Sequence, residues 1–155
     1  MNAPSKKMLM VLVKKLRANP NLFSARLTLE SIRKLIKTKQ CVILYDEHLI
    51  YGFAAFWRTR REGYFEVGPI WIDESCRGKG HAGKLFTQVL DLLPHKAGTH
   101  VFLITKSEIV ASIATSHGWA SVENWQTSFW REVYEPLDGG SRIPHEQAQL
   151  FYCAC

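Results

Sequence analysis

The turn Arg77-Gly78-Lys79-Gly80-His81-Ala82-Gly83 constrains the fold of this chain more than any other segment. Glycine at 78, 80 and 83 lets the backbone turn sharply and come close to a ligand. An apolar, strand-like stretch, Tyr64 to Ile72, runs into the turn. Leu85, Phe86, Val89, Leu90 and Leu93 follow it at helical spacing, so a helix is expected over residues 82 to 93. In a strand, glycine turn and helix, successive backbone N–H groups and a helix N-terminus form an anion site. A phosphate-bearing ligand is the first expectation.

The glycine spacing alone fits several ligand classes. Gly78 to Gly83 reads G-x-G-x-x-G, and Gly78 to Lys84 matches most of G-x-x-x-x-G-K. The second pattern fails at its last letter. Position 85 is Leu, so no hydroxyl is available for a magnesium ion. The first fails on context. A dinucleotide-binding turn follows the first strand of a βαβ unit and has an acidic residue about 20 positions on. Here the next strand ends in Thr105-Lys106.

The segments before the turn also differ from a dinucleotide fold. Cys41 to Tyr45, Leu49 to Arg58 and Tyr64 to Ile72 read as strands, joined by polar turns at Asp46-Glu47-His48 and Thr59 to Gly63. Such short connections make an antiparallel meander. Gly68-Pro69 inside the third strand predicts a bulge, or a place where pairing stops. Helices are expected over 5–18, with Met8, Val11, Leu12 and Leu16 at helical spacing, and over 28–38. After the turn come a buried-type strand, His100 to Thr105, and a helix, Glu108 to His117, that Gly118 closes. Ala120 to Val122 and Gln126 to Tyr134 read as two last strands. The crossover helix makes the third strand and the next one parallel neighbours. The expected fold class is α/β of the α+β type, a mixed, mostly antiparallel sheet flanked by helices. The 155 residues fit a single domain, with its core at about 28–134, an N-terminal helix over 5–18 and a C-terminal tail over 136–155. That tail is turn-rich at Asp138-Gly139-Gly140 and then amphipathic. It is expected to pack on the domain, extend the sheet or pair with a second subunit.

Residues 64 to 119 resemble the Gcn5-related N-acetyltransferase (GNAT) superfamily. Its signature, [QR]-x-x-G-x-[GA] after a strand and at a helix start, reads Arg77-Gly78-Lys79-Gly80-His81-Ala82 here. Gly118-Trp119 stands where the family usually has Gly-Phe. The resemblance extends over about residues 28 to 134. It implies an N-acyltransferase that uses acetyl-CoA and moves an acetyl group directly to an amine. Pantetheine would lie along the backbone of Ile70, Trp71 and Ile72, past a bulge that Gly68-Pro69 suits. The pyrophosphate would sit on the amides of Lys79, Gly80, His81, Ala82 and Gly83, with Arg77 and Lys79 adding charge.

Acyl transfer to an amine needs a base for the acceptor proton, a donor for the oxyanion and a route for the leaving thiolate. By resemblance, the backbone N–H of Ile70 is the oxyanion donor and Glu66, eleven residues before Arg77, is the base. Its apolar neighbours Phe65 and Val67 are expected to raise its pKa. The family's usual acid, a tyrosine four residues ahead of the Gly-Phe glycine, is replaced by Ala114. Three explanations stay open. The thiolate leaves unassisted, or Ser112, Ser116, His117 or Tyr134 donates the proton, or the chain binds coenzyme A without efficient transfer. The last makes a weakly catalytic CoA-binding or nucleic-acid-associated module the alternative function.

Charge and cysteine content set the remaining expectations. The formal net charge of +6 favours an anionic partner, and a phosphate-rich cofactor satisfies that as well as nucleic acid does. Arg58-Thr59-Arg60-Arg61 forms a basic hairpin tip, read as solvated or as attracting an acidic acceptor. The acceptor itself stays open among small amines, proteins and nucleic acids, and a homodimer is one option. Cys41, Cys76, Cys153 and Cys155 contain no metal-ligand spacing, so no metal is expected and the thiols read as small apolar residues in a reducing cytoplasm. Met8 to Val13 is too short to span a membrane, so none is expected as a partner. The five tryptophans read as core or sheet packing.

Overall fold

The computed structural model describes residues 3–20, 22, 25–135 and 147–154. The turn expected at Asp138-Gly139-Gly140, the following residues up to 146, and Cys155 lie outside them.

The chain begins with helix α1, Lys6–Ala18. Ser5 caps it by accepting a hydrogen bond from the Met8 amide at 3.2 Å. Its buried stripe is Leu9, Leu12 and Leu16. Val11, expected on that stripe, is exposed. Helix α2, Leu29–Lys37, opens on a reciprocal capping box between Thr28 and Ser31. It buries Ile32 and Leu35 and leaves Arg33, Lys34 and Lys37 to solvent, as its amphipathic pattern implies.

Strands β1 (Cys41–Tyr45), β2 (Ile50–Arg58) and β3 (Tyr64–Ile72) follow. β1 and β2 pair antiparallel, with Val42 opposite Ala54 and an irregularity at Leu44/Tyr45. A short 3-10 turn, Glu74–Cys76, leads through the glycine segment into helix α3, His81–Asp91. Leu85, Phe86 and Val89 are the buried side of α3. Strand β4 (His100–Thr105) and helix α4 (Glu108–Ser116) come next. Strand β5 (Ala120–Ser121), helix α5 (Ser128–Tyr134) and strand β6 (Gln149–Ala154) complete the order. The strands form one six-stranded sheet in the order β1-β2-β3-β4-β6-β5. β3 and β4 are parallel, as the crossover helix requires.

The region after residue 121 departs from the sequence reading. Gln126 to Tyr134 is not a strand. Its larger part is helix α5, with Val133 and Tyr134 buried against Phe102 and Leu150 and Trp130 packed alongside. Trp130, Val133 and Tyr134 lie three and four residues apart, which is helical spacing. Their aromatic and β-branched character suggests a strand, but packing decides. The last strand comes instead from the tail. β6 pairs antiparallel with β4, from His100–Ala154 to Thr105–Gln149, and with β5 at Ala120–Tyr152 and Ser121–Phe151. Of the roles open to the tail, its described residues extend the sheet.

The residues cluster into two compact units. One comprises residues 1–55 and 69–92, the other 56–68 and 93–155. The second contains the core of Phe102, Trp125, Val133, Tyr134 and Leu150. Among the described residues no helix is long and apolar enough to cross a membrane.

Candidate functional site

In the first unit, the end of β3 and the glycine turn make one continuous piece of scaffold. Trp71 is buried, while Ile70 and Ile72 are half-buried. The Asp73 amide donates to the Tyr51 carbonyl at 2.8 Å, which fixes the strand end. The Asp73 carboxylate then accepts from the Ser75 amide at 3.2 Å and the Ser75 hydroxyl at 2.5 Å. Lys15 of α1 donates its Nζ to the other carboxylate oxygen at 2.6 Å. The lysine, then the serine hydroxyl, hold the Asp73 carboxyl below its ordinary pKa.

The backbone continues from this anchor. The Cys76 amide donates to the Asp73 carbonyl at 2.9 Å, and Arg77 Nε donates to the Ile72 carbonyl at 3.3 Å. Gly78 and Gly80 have φ of 79° and 78°, a region that glycine enters readily and other residues rarely do. Gly80 is the N-cap of α3 and carries no side-chain cap. The first N–H groups of any helix lack an intrahelical partner, so those of α3 are left for an anion. Arg77 and Lys79 are exposed beside them. The His81 ring rests 5.1 Å from the Tyr51 ring. A cavity of about 620 Å³ is lined by Lys15, Trp71, Asp73, Glu74, Ser75 and Arg77, among others. Thus Ile70, Trp71, Ile72 and the whole stretch Arg77 to Gly83 fall in this unit.

Lys15, Tyr51 and Asp73 escaped the sequence reading. Asp73-x-Ser75 carries a signal, since aspartate often accepts from the amide two residues on. Lys15 carries none, because 58 positions separate it from Asp73.

The second unit holds Glu66 and Tyr134. The parallel ladder runs through Tyr64–His100, Phe65–Val101 and Glu66–Phe102. Two residues beyond it, Gly68 has φ of 150°, and its carbonyl accepts the Trp57 indole N–H. That carbonyl bonds a side chain, and the strand departs from regular geometry where Gly68-Pro69 suggested it would. Glu66 is only 3% exposed. Paired residues of neighbouring strands project to one face, so Glu66 shares a face with Phe102. Phe102 belongs to the cluster that holds Tyr134, which is the last residue of α5, 5% exposed, with its ring 5.7 Å from that of Trp125. Tyr134 therefore lies in a helix rather than a strand, yet in the cluster of Glu66's strand neighbour.

The other proton-donor candidates sit differently. Ser112, Ser116 and His117 are exposed on α4 and its cap, and the Ser116 hydroxyl donates to the Ile113 carbonyl. Ala114 is fully buried, so its position offers a methyl group and no proton. At the basic tip, Arg58 lies over the Phe65 ring and Arg61 over the rings of Tyr64 and Phe129. Arg60 reaches Glu135 at 3.8 Å. Trp71, Trp119 and Trp125 are buried, in keeping with packing roles. Cys41 and Cys76 are free thiols, and burial pushes the Cys41 thiol up to about 12. Among the described residues, no three potential metal ligands cluster together.

The model of the acetyltransferase (GNAT) family matches residues 16–115. No curated protein sequence matches the chain. Solved structures do. N-acetylglutamate synthase from Neisseria gonorrhoeae, complexed with coenzyme A and N-acetyl-glutamate, superposes with a TM-score of 0.66 at 12% identity. The match takes in 99% of this chain and 33% of the synthase, so the chain spans about a third of that protein's length. Rv2747 from Mycobacterium tuberculosis, in complex with CoA and NLQ, gives 0.66 at 15% identity over 99% and 98% of the two chains. An N-acetyltransferase from Staphylococcus aureus Mu50 gives 0.64 at 14% identity over 99% and 96%. At such identities the likeness is one of fold.

Proposed function

The chain belongs to the acetyltransferase (GNAT) family, and from that premise we propose that it transfers an acetyl group from acetyl-CoA to an amine. The pyrophosphate rests on the amides of Lys79 to Gly83 at the uncapped start of α3, with Arg77 and Lys79 beside it. Pantetheine runs along the backbone of Ile70 to Ile72. The coenzyme A in the complexes of the Neisseria and Mycobacterium proteins supports this cofactor.

The reaction is direct. The acceptor ammonium gives a proton to Glu66, itself or through one water. The freed nitrogen attacks the thioester carbonyl, and the Ile70 N–H donates to the oxyanion that forms. The C–S bond then breaks as the carbonyl is restored, the acylated nitrogen sheds its remaining excess proton to solvent, and Glu66 releases its own to complete the cycle. Tyr134 protonates the departing thiolate and recovers its proton from solvent. The free thiols of Cys41 and Cys76 suit a reducing compartment, which supports a cytoplasmic place for the reaction. The acceptor is an amine whose carrier, small molecule or macromolecule, is left open.

The observation that carries this reading is the burial of the Glu66 carboxylate on β3. Carboxylates are rarely so enclosed, and active sites are among the places where buried titratable groups are kept. Glu66→Gln keeps the shape and removes the base. It is expected to lower kcat/KM by roughly 100-fold or more, with the acidic limb of the pH profile lost and coenzyme A affinity unchanged. Steady-state kinetics with an identified acceptor measure both. Full activity in the variant would remove Glu66 from the mechanism.

A second reading has one observation in its favour. The buried methyl of Ala114 leaves α4 without the family's usual acid. On that reading the chain binds coenzyme A and turns over weakly. Coenzyme A binding without thiol release across a broad panel of amines would select it.

A further inference from the structure

The phosphate turn is electropositive by design, with Arg77, Lys79 and the α3 N-terminus close in sequence, yet its anchor is a carboxylate. Asp73 lines the same cavity as Arg77 and is 9% exposed. Water cannot screen a charge so enclosed as it screens the exposed Glu74 nearby. An unscreened aspartate there would repel a pyrophosphate. The structure places the Nζ of Lys15 at 2.6 Å from that carboxylate. Lys15 comes from α1, lines the same cavity, and keeps 38% of its side chain exposed.

We infer that Lys15 is a specificity and positioning residue for the acyl donor. It neutralises Asp73, so that the carboxylate can hold the turn through Ser75 without opposing the phosphates, and it ties α1 to that turn. Two tasks that conflict, anchoring by a carboxylate and binding an anion, are thereby made compatible. The inference rests on the reading that the turn 77–83 holds the cofactor pyrophosphate.

Masking and mere stapling have different signatures. Lys15→Gln keeps an N–H donor for Asp73 and removes only the charge. Asp73→Asn removes the repelling charge and leaves Lys15 free to attract phosphate. If Lys15 masks, Lys15→Gln weakens coenzyme A binding on the order of tenfold, Asp73→Asn does not weaken it, and the double variant returns to near wild-type affinity. Lys15→Arg retains the charge and binds as wild type does. The loss in Lys15→Gln also shrinks between low salt and 0.5 M salt, where surface charges are screened over roughly a few ångströms. If Lys15 only staples, Lys15→Gln, which keeps the donor, binds as wild type does, and salt makes no difference between the two.

The experiment is calorimetric titration of the full chain and its variants with coenzyme A, at two salt concentrations, with thermal melts to establish folding. A wild-type affinity in Lys15→Gln, or an equal loss in Asp73→Asn, overturns the inference while leaving the cofactor site standing. No binding of coenzyme A by the wild-type chain overturns the site itself, and the inference with it. Should Lys15→Gln fail to fold, the salt dependence of Lys15→Arg against Asp73→Asn decides. Tighter binding by Asp73→Asn than by Lys15→Arg at low salt, converging at high salt, supports masking, and equal affinities at both salts overturn it.

Discussion

Tyr134 sits in a local setting that differs from the one its sequence suggests. Its hydroxyl made it a candidate acid, and its aromatic surroundings suggested a strand. It closes a helix instead, 5% exposed in the cluster that contains Phe102. That cluster matters because Phe102 is the strand partner of Glu66. Removing the hydroxyl alone tests the role. Tyr134→Phe keeps the ring against Trp125, so stability should change by only about 1 kcal/mol, the usual net worth of one hydrogen bond. If the hydroxyl protonates the thiolate, kcat falls by roughly 10- to 100-fold and the alkaline limb of the pH profile moves. A donor with a more acidic leaving thiol should then recover much of the loss. An unchanged kcat would leave unassisted departure of the thiolate as the mechanism. Ala114 fits either outcome, since a buried methyl neither donates nor accepts.

At the level of elements, the turn into α3 is where backbone conformation bears on the proposed phosphate contact. Gly80 has φ of 78° and caps the helix without a side chain. A Cβ at this position would meet nothing within 4 Å, so Gly80→Ala is a conformational change and not a clash. It should cost about 1–2 kcal/mol of stability, the penalty of the left-handed region for an L-residue. If the turn relaxes to escape the strain, the α3 amides lose their aim and KM for the acyl donor rises while kcat holds. Thermal melts and kinetics on Gly80→Ala separate the two effects. The turn was readable from sequence because glycine spacing, the meander before it and the amphipathic helix after it agree with one another. The end of the β3–β4 ladder just before Gly68-Pro69 was readable for a similar reason, since glycine and proline within a strand often mark where pairing stops. The region after residue 121 was not readable in that way. Trp130, Val133 and Tyr134 have strand character, and packing with Phe102 and Leu150 favours the helix. The strand that fits beside β4 comes from Gln149–Ala154, far along the chain, where the sequence offers sheet extension as one of three roles for the tail. The ion pair that anchors the turn is hidden, as pairing at long sequence separation leaves no periodic trace.

For the molecule as a whole, the excess of 20 Lys and Arg over 14 Asp and Glu invites a nucleic-acid reading. The arrangement of the charges argues otherwise. At the hairpin tip Arg58 and Arg61 lie on aromatic rings and Arg60 reaches Glu135, so this basic run is engaged within the protein. Arg77 and Lys79, by contrast, stand exposed at a helix start whose amides carry no side-chain cap. The electrostatic attraction of the chain should therefore act on the nucleotide part of the cofactor. This distinguishes two donors that deliver the same acetyl group. Acetyl-CoA carries the phosphates, while acetyl-pantetheine presents the same thioester and amides without them. Raising salt from about 0.05 to 0.5 M shortens the screening length from roughly 14 to 4 Å, enough to weaken contacts with exposed cations. KM for acetyl-CoA should rise several-fold over that range, while the higher KM for acetyl-pantetheine stays flat and kcat for both is unaffected. Parallel salt responses for the two donors would mean that the charge acts on the acceptor, and would return the arginine hairpin to consideration as its docking point.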